Sequence, residues 1–509
     1  MPLSFMVAFL LPYISAWQLI ERQGRCQIKT ASNQRKILFV TPPYHSGVDE
    51  IAGRWLPLGL LYLAAAARQA AVTPLLYDAM TRGDSLREVE EHLRERAADY
   101  VAVTAITATA SDAVAVLELA KKARPDCVTI LGGVHPTFMY RELLAQSTAI
   151  DYIVIGEGEQ TLRHLLETLE QGGDPASVPG LAFRGSGTTV ITGRRPLTEN
   201  LDELRAAWDL VDWDDYTSLV IPGSRLGAIS TSRGCSHDCT FCSQQRFWEK
   251  SWRARAPEAV ADELAHLYTT YRVNVFLITD EHPTKDRERW LALLTAVIAR
   301  RLPIHLLMET RVSDIIRDQD LLTAYRDAGV VYISLGAESS DQQRLDALRK
   351  GTQRHEITRA TALLRDHEIV SEASFILGFP DETQDSIRRT MELVQECSPD
   401  IANFFIYTPW PYDGSQAADD YRKYNMVDPV CDTAAMTRLQ IEVAQADCYR
   451  RFYMGKVIDF MTMKAGFRRD FLMRITKLFM GSSFVIRKLG VGIFGRFPGK
   501  SGEMRKGSS

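Results

Sequence analysis

Gly234-Cys235-Ser236-His237-Asp238-Cys239-Thr240-Phe241-Cys242 places three of the chain's eight cysteines within eight residues, in the spacing Cys-x3-Cys-x2-Cys. Three thiolates on one short loop can hold three corners of a cubane [4Fe-4S] cluster, which takes four cysteines when it is closed. The fourth iron is then left open to a small chelating molecule. A structural zinc site is the competing reading, because His237 would complete a Cys3His set. Against it, His237 sits between the cysteines and no second Cys-x2-Cys pair follows at finger spacing. A disulfide framework fits poorly, since the other five cysteines are scattered over 509 residues, as in a reduced intracellular protein.

The loop lies at the carboxyl end of a predicted strand, Ala228-Ile229-Ser230-Thr231, and alternating elements follow it. Pro257 to Tyr271 reads as a helix and Val275 to Thr279 as a strand ending in Asp280-Glu281-His282. Further strand-helix pairs begin at Ile304, Tyr332, Ser374 and Ala402. Six repeats predict a partial (β/α)6 barrel of the TIM type, whose chemistry gathers at the carboxyl ends of its strands. Asp280, Glu281, Arg311 and Glu338 stand at such ends, and for each the bland alternative is a structural ion pair or cap. No residue is singled out as a catalytic acid, base or nucleophile.

Upstream, Lys36 to Thr41 (KILFVT) is a continuous apolar run, as in a strand buried on both faces. Strands are predicted again at Thr73–Tyr77, Tyr100–Thr104, Cys127–Gly132 and Tyr152–Ile155, with helices between them. This α/β alternation predicts a doubly wound, Rossmann-like sheet whose ligand sits beyond the carboxyl ends of its strands. The loops after the strands contain His45, Thr104, Gly132-Gly133, His135 and Gly156. Paired glycines let backbone approach a phosphate or a flat macrocycle closely.

The expected organisation is an extension at 1–34, a ligand domain at 35–172, a linker at 173–225 with a solvated acidic and aromatic stretch, the barrel at 226–430 and a helical basic region at 431–509. Leu3 to Ile20 carries no charge but contains Pro12, Ser15 and Gln18, and reads as a loose extension or an interfacial anchor. A net charge of −4 gives no bias toward nucleic acid, yet from Gly455 onward twelve Lys/Arg stand against three Asp/Glu. That basic region can cap the barrel, touch an anionic membrane or clamp an anionic substrate. A cytoplasmic protein, in part membrane-associated, is expected.

The cysteine spacing, with Phe241 just before the last cysteine, resembles the signature of the radical S-adenosylmethionine enzymes. The resemblance implies that S-adenosylmethionine chelates the open iron through its amine and carboxylate, and that one electron from the cluster cleaves it to a 5'-deoxyadenosyl radical. It also implies cofactor roles: Asp280 and Glu281 toward the methionine amine, Arg311 toward the cofactor carboxylate or a substrate acid, Glu338 toward the ribose hydroxyls and Phe375 to Gly378 against adenine. The upstream domain resembles the cobalamin-binding domain found ahead of many such barrels. Thr104-Ala105-Ile106 and Gly132-Gly133 stand where that domain lines the nucleotide tail. The Asp-x-His-x-x-Gly element that supplies a cobalt ligand is missing, so His45 is either a corrin-facing histidine or an ordinary loop residue.

Finer strings narrow the likeness. Pro43-Tyr44-His45-Ser46-Gly47, Glu50-Ile51-Ala52-Gly53, Thr104 to Thr107, Gly156 to Gln160, Phe241 to Gln244 with Phe247-Trp248, and Tyr407 to Pro411 are similar to those of the anaerobic magnesium-protoporphyrin IX monomethyl ester oxidative cyclases. The resemblance implies hydrogen abstraction from the 13-propionate methyl ester side chain, entry of oxygen from water, oxidation to a ketone and closure of the isocyclic ring to give protochlorophyllide. Its implied partners are the magnesium-protoporphyrin ester and a low-potential electron donor such as ferredoxin or flavodoxin. Trp248, Phe247 or Trp410 could stack on the macrocycle. A cobalamin-dependent radical methyltransferase acting on a tetrapyrrole or lipid-like substrate is the alternative, and a cobalamin sensor with a structural cluster is the non-enzymatic one.

Overall fold

The computed structural model describes residues 34–45, 55–413 and 420–482. Residues 1–33 of the expected extension, Ser46-Gly47, the Glu50 to Gly53 string and everything after Ser482, including Arg487 and Lys488, lie outside the described residues.

In the first unit, β1 (Lys36–Thr41), β2 (Thr73–Asp78), β3 (Tyr100–Thr104), β4 (Val128–Gly132) and β5 (Tyr152–Val154) form a parallel sheet in the order β2-β1-β3-β4-β5. Alternate residues explain the continuous apolar runs: Leu38, Val40, Val101 and Val103 feed one core, while Ile37, Phe39, Tyr100 and Ala102 feed the other. Both faces are covered by helices, as a parallel sheet requires. The order reverses between β1 and β3, leaving a crevice at their carboxyl ends.

The stretch expected as a linker divides differently. β6 (Leu181–Arg184) pairs antiparallel with β5, and β7 (Thr189–Ile191) with β6, which extends the first sheet to seven strands. Trp208, Trp213 and Tyr216 are buried in the main core of the second unit instead of forming a solvated face. The acidic residues between them mislead, because aromatic rings at near-helical spacing bury themselves while the carboxylates stay outside.

The second unit holds β8 (Leu226–Ile229), the short antiparallel ribbon of β9 (Ser232–Arg233) and β10 (Arg253–Ala254), then β11 (Val275–Ile278), β12 (His305–Thr310), β13 (Val330–Glu338), β14 (Val370–Leu377) and β15 (Ile401–Ile406). Six parallel strands run in the order β15-β14-β13-β12-β11-β8 and form the incomplete barrel. An open barrel has an edge to cover. The helix Arg438–Thr462 lies along β15, where Tyr449 Oη accepts from the Phe404 amide at 3.1 Å and Gln445 Nε2 donates to the Phe404 carbonyl at 2.7 Å. Phe460, with Phe471 and Leu472 of the next helix (Phe467–Gly481), packs on Leu226, Val275, Val370 and Ile401 at the amino ends of the strands. The buried Arg468 bonds Asp400 at 2.6 Å, so part of the basic C-terminal region closes the barrel.

Candidate active site

The chain leaves β8 through Ser230-Thr231 and turns at β9 into the cysteine loop. Asp280, just beyond β11, accepts from the Thr231 amide at 2.7 Å and from the Thr231 and Ser232 hydroxyls at 2.6 Å. Burial pushes this carboxyl up to about 6. Asp280, which the resemblance sends toward the cofactor amine, is bonded through both of its oxygens to the root of the loop. Glu281 holds the loop's first turn, accepting from the Gly234 amide at 3.0 Å and the Trp248 indole at 2.7 Å, and it lines the main cavity. Gly234 has φ +91°, and a Cβ there would meet the Ser251 carbonyl at 2.3 Å, so only glycine fits.

Cys239 is buried and Cys235 and Cys242 are half-buried. Burial pushes the Cys235 and Cys242 thiols up, and the neighbouring thiols of the triad add to the push, so the three sulfurs share one neighbourhood. Arg311 Nη1 stands 3.8 Å from Cys239 Sγ, and its Nη2 bonds the Lys350 carbonyl. The guanidinium thus sets a positive charge beside the thiolates that a cluster would bring together. Among the described residues, no three His, Cys, Asp or Glu side chains converge to hold a single ion. Three thiolates on one loop are the donor set that a cubane cluster takes at three of its irons. His237 packs against the His282 ring with centroids 5.2 Å apart. The donor set fits an iron-sulfur cluster.

Below the loop the barrel interior is acidic. Glu338, at φ +61°, accepts from Lys350 Nζ at 2.6 Å through Oε1 and leaves its other oxygen without a partner among the described residues. Such a non-glycine conformation stores strain of the kind found at ligand sites. A Cβ on Gly336 would lie 2.4 Å from both members of the pair. Glu372 accepts from the Tyr332 hydroxyl, from Ser334 Oγ at 2.9 Å and from Ser374 Oγ at 3.3 Å. Glu309 on β12 is reached by water yet walled in by the barrel; this enclosure and the charges of Glu372 and Glu338 push its carboxyl up to about 7. Glu309, Glu372 and Lys350 were not singled out from the sequence. The available signal was an acid at an inward position of the otherwise apolar strand HLLMET.

A cavity of about 460 Å³ joins the two units. Its walls are Phe39, Ala102, Ile130 and Val154 from the first sheet, Gly59 and Leu63 from the helix Leu58–Gln69, the strand-end residues Thr104, Gly132, Gly133 and Gly156, and Phe247, Trp248, Thr279 and Glu281 from the barrel side. Added Cβ atoms at Gly59 and Gly156 would meet nothing within 4 Å, while one at Gly133 would strike the Ala105 carbonyl at 2.5 Å. Bare backbone around an apolar slot fits the flat nucleotide tail of cobalamin. Thr104, Gly132 and Gly133 are thus brought together, but His45 is not. It borders a separate cavity with Pro43, Tyr44, Asp112 and Arg422. His135 is fully buried, with Nδ1 3.2 Å from Thr107 Oγ1, and burial pushes it down to about 4, which keeps it neutral.

Trp410, expected among the rings that could stack on a macrocycle, is held by the cysteine loop and by a neighbouring ring. The Trp410 indole donates to the Phe241 carbonyl, and its ring stacks on Tyr412 at 5.7 Å, which in turn stacks on Phe138 at 4.5 Å. The segment after β15 therefore ties the cysteine loop to the first unit. Phe247 and Trp248 do line the cavity.

Residues 44–166 match the B12 binding domain and residues 229–394 the radical SAM superfamily, which makes cobalamin, a [4Fe-4S] cluster and S-adenosylmethionine the cofactors of this chain. A solved radical S-adenosylmethionine methyltransferase, TsrM from Kitasatospora setae, has the same fold, with a TM-score of 0.66 at 17% identity over 88% of this chain and 99% of that one. The anaerobic magnesium-protoporphyrin IX monomethyl ester cyclase of Rubrivivax gelatinosus is 38% identical over 88% of this chain and 83% of its own length. That of Cereibacter sphaeroides is 38% identical over 90% of this chain and 76% of its own. With a cysteine triad at the barrel mouth, a glycine-walled slot that reaches the root of its loop and these relatives spanning both, the chain belongs to the anaerobic magnesium-protoporphyrin IX monomethyl ester cyclase family.

Proposed function

We propose that the chain converts magnesium-protoporphyrin IX 13-monomethyl ester to protochlorophyllide without molecular oxygen, closing the isocyclic ring with an oxygen atom from water. The observation that carries this reading is the single cavity that reaches from the glycine-walled slot to Trp248 and Glu281 at the root of the cysteine loop. When bound, the cluster and S-adenosylmethionine supply a 5'-deoxyadenosyl radical, the reagent an unactivated C–H bond needs.

The chain's own residues hold and shield. Cys235, Cys239 and Cys242 would hold three irons of the cluster, with the Arg311 cation beside them. The unpartnered oxygen of Glu338 accepts the ribose hydroxyls, with Lys350 fixing its partner oxygen. Phe241 and Glu281 border the cofactor, and Thr104, Gly132 and Gly133 border the cobalamin tail. Trp248, pinned by Glu281, offers an indole face to the macrocycle. The cobalamin unit comprises residues 35–191, the barrel 226–430 and the helical closure 431–482. A low-potential ferredoxin or flavodoxin delivers the electron to a cytoplasmic enzyme whose C-terminal region contacts the membrane.

The test is anaerobic reconstitution with iron, sulfide and cobalamin, followed by incubation with the magnesium-protoporphyrin ester in 18O-water and mass spectrometry. The expected product carries the new ring and one labelled oxygen. A methylated substrate with S-adenosylhomocysteine would replace this reading with the methyltransferase one, and absence of 5'-deoxyadenosine would remove both.

A further inference from the structure

The helix Arg438–Thr462 has two apolar faces. One is spent on the barrel, through Phe452, Tyr453 and Phe460, each at most 6% exposed. The other carries Met454, Val457, Ile458 and Met461, which are 65%, 43%, 71% and 67% exposed. Spacings of three and four residues set Met454, Ile458 and Met461 in one stripe. Large apolar side chains grouped in this way on a surface mark a contact made with something else.

Charge identifies the occupant. Arg450 and Arg451, each bonded to Asp447 at 2.5 and 2.6 Å, precede the stripe, Asp459 lies within it near Lys456 and the exposed Lys464 follows it. On the following helix Met473 and Met480 are exposed beside Arg474 and Lys477. Lys464, Arg474 and Lys477 have no carboxylate partner among the described residues, and the chain beyond Ser482 adds further cations. An acidic chain of net charge −4 thus concentrates cations around its most exposed apolar stripe. A helix with apolar residues flanked by cations is built for the boundary between anionic headgroups and acyl chains. Self-pairing of this face would instead set cation against cation.

We infer that the outer face of this helical pair, centred on Met454, Ile458 and Met461, docks on an anionic lipid surface without crossing it. The inference deepens the membrane contact proposed above and rests on that reading of the C-terminal region, not on the reaction. No helix among the described residues is long and apolar enough to cross a membrane. Phe460, Phe471 and Leu472 pack on the amino ends of the strands, so this part of the helical pair stands at the end of the barrel away from the cysteine loop.

The test is co-sedimentation of the full reconstituted chain with phosphatidylglycerol–phosphatidylcholine vesicles and with pure phosphatidylcholine vesicles. The parent binds the anionic vesicles and is released by salt. Combining Met454→Glu with Ile458→Glu lowers partitioning by at least about tenfold, and Lys464→Glu by about fivefold. Iron content and 5'-deoxyadenosine release stay at parental levels in these variants, which separates loss of docking from misfolding. Equal sedimentation of parent and double variant overturns the inference. So does a lipid-free dimer that the double variant dissociates in analytical ultracentrifugation, which would make a second copy the occupant.

Discussion

Arg233, on the barrel's short ribbon, bonds Glu157 at 2.9 Å and Glu159 at 2.6 Å across the boundary between the two units. Arg253 bonds the same Glu157 at 3.0 Å. Burial works against the Glu157 charge, and Arg253 and Arg233 outweigh it, holding its carboxyl below the ordinary range. Glu157 and Glu159 line the cavity at the end of β5, while Arg233 immediately precedes Gly234 of the cysteine loop. The glycine-walled slot and the cysteine loop are therefore fastened to one another by a buried ion network.

Removing one partner of a buried ion network leaves the other charge uncompensated, at a cost of about 3–5 kcal/mol. Arg233→Ala is accordingly expected to lower unfolding stability by that amount in urea titrations, and Glu157→Gln by somewhat less because Glu159 remains. If the network also couples the two sites, both variants weaken cobalamin binding measured by equilibrium dialysis. A loss of stability under about 1 kcal/mol would mean that solvent reaches the network and screens it.

Cys397 and Cys448 stand apart from the three cysteines of the loop. Burial pushes the Cys397 and Cys448 thiols up to about 12, and both lie in the outer core away from the loop. Replacing Cys235, Cys239 or Cys242 by alanine should abolish the charge-transfer absorption of the reconstituted cluster, whereas Cys397→Ala should keep it and cost roughly 1 kcal/mol in stability. Retention of cluster absorption in Cys242→Ala would reassign the ligand set.

The triad, the alternation of strands and helices and the paired glycines were legible because each is local: a spacing, a period or a backbone requirement. What was not legible depends on which strand lies beside which. Asp280 sits at a strand end like Glu281, yet the Thr231 amide and the Thr231 and Ser232 hydroxyls bond it, and no spacing reveals that. Trp208 and Trp213 lie among aspartates, and only the packed barrel shows them to be core. Lys350 becomes part of the site because Gly336 leaves room for its ammonium beside Glu338.

Gly59 offers a test of the slot that does not damage the fold. It lies in the first turn of a helix, lines the cavity, and has no atom within 4 Å of its absent Cβ. Gly59→Leu should raise stability by up to about 1 kcal/mol, because a helical glycine is entropically costly. The same side chain fills the space where the cobalamin tail would lie, so binding monitored by the cobalamin absorption spectrum should fall at least about tenfold. A variant that is stabilised and still binds cobalamin normally would place the tail elsewhere.

Glu309 makes stability depend on pH. Its carboxyl ionises near 4.5 in an unfolded chain and near about 7 in the folded one. Between these values the folded chain retains a proton that the unfolded chain has released, so stability falls as pH rises through this window and the full cost is present above it. Glu309→Gln removes the titration while keeping shape and polarity. For the cofactor-free chain, the melting temperature of the variant relative to the parent should therefore climb from about pH 5 to about pH 8 and then level off. Glu372 and Glu338 contribute to the shift, so Glu372→Gln in the parent background should flatten the same curve in part. An offset between Glu309→Gln and parent that is constant across this range would show that Glu309 is ionised inside the barrel, with Lys350 or water carrying its charge.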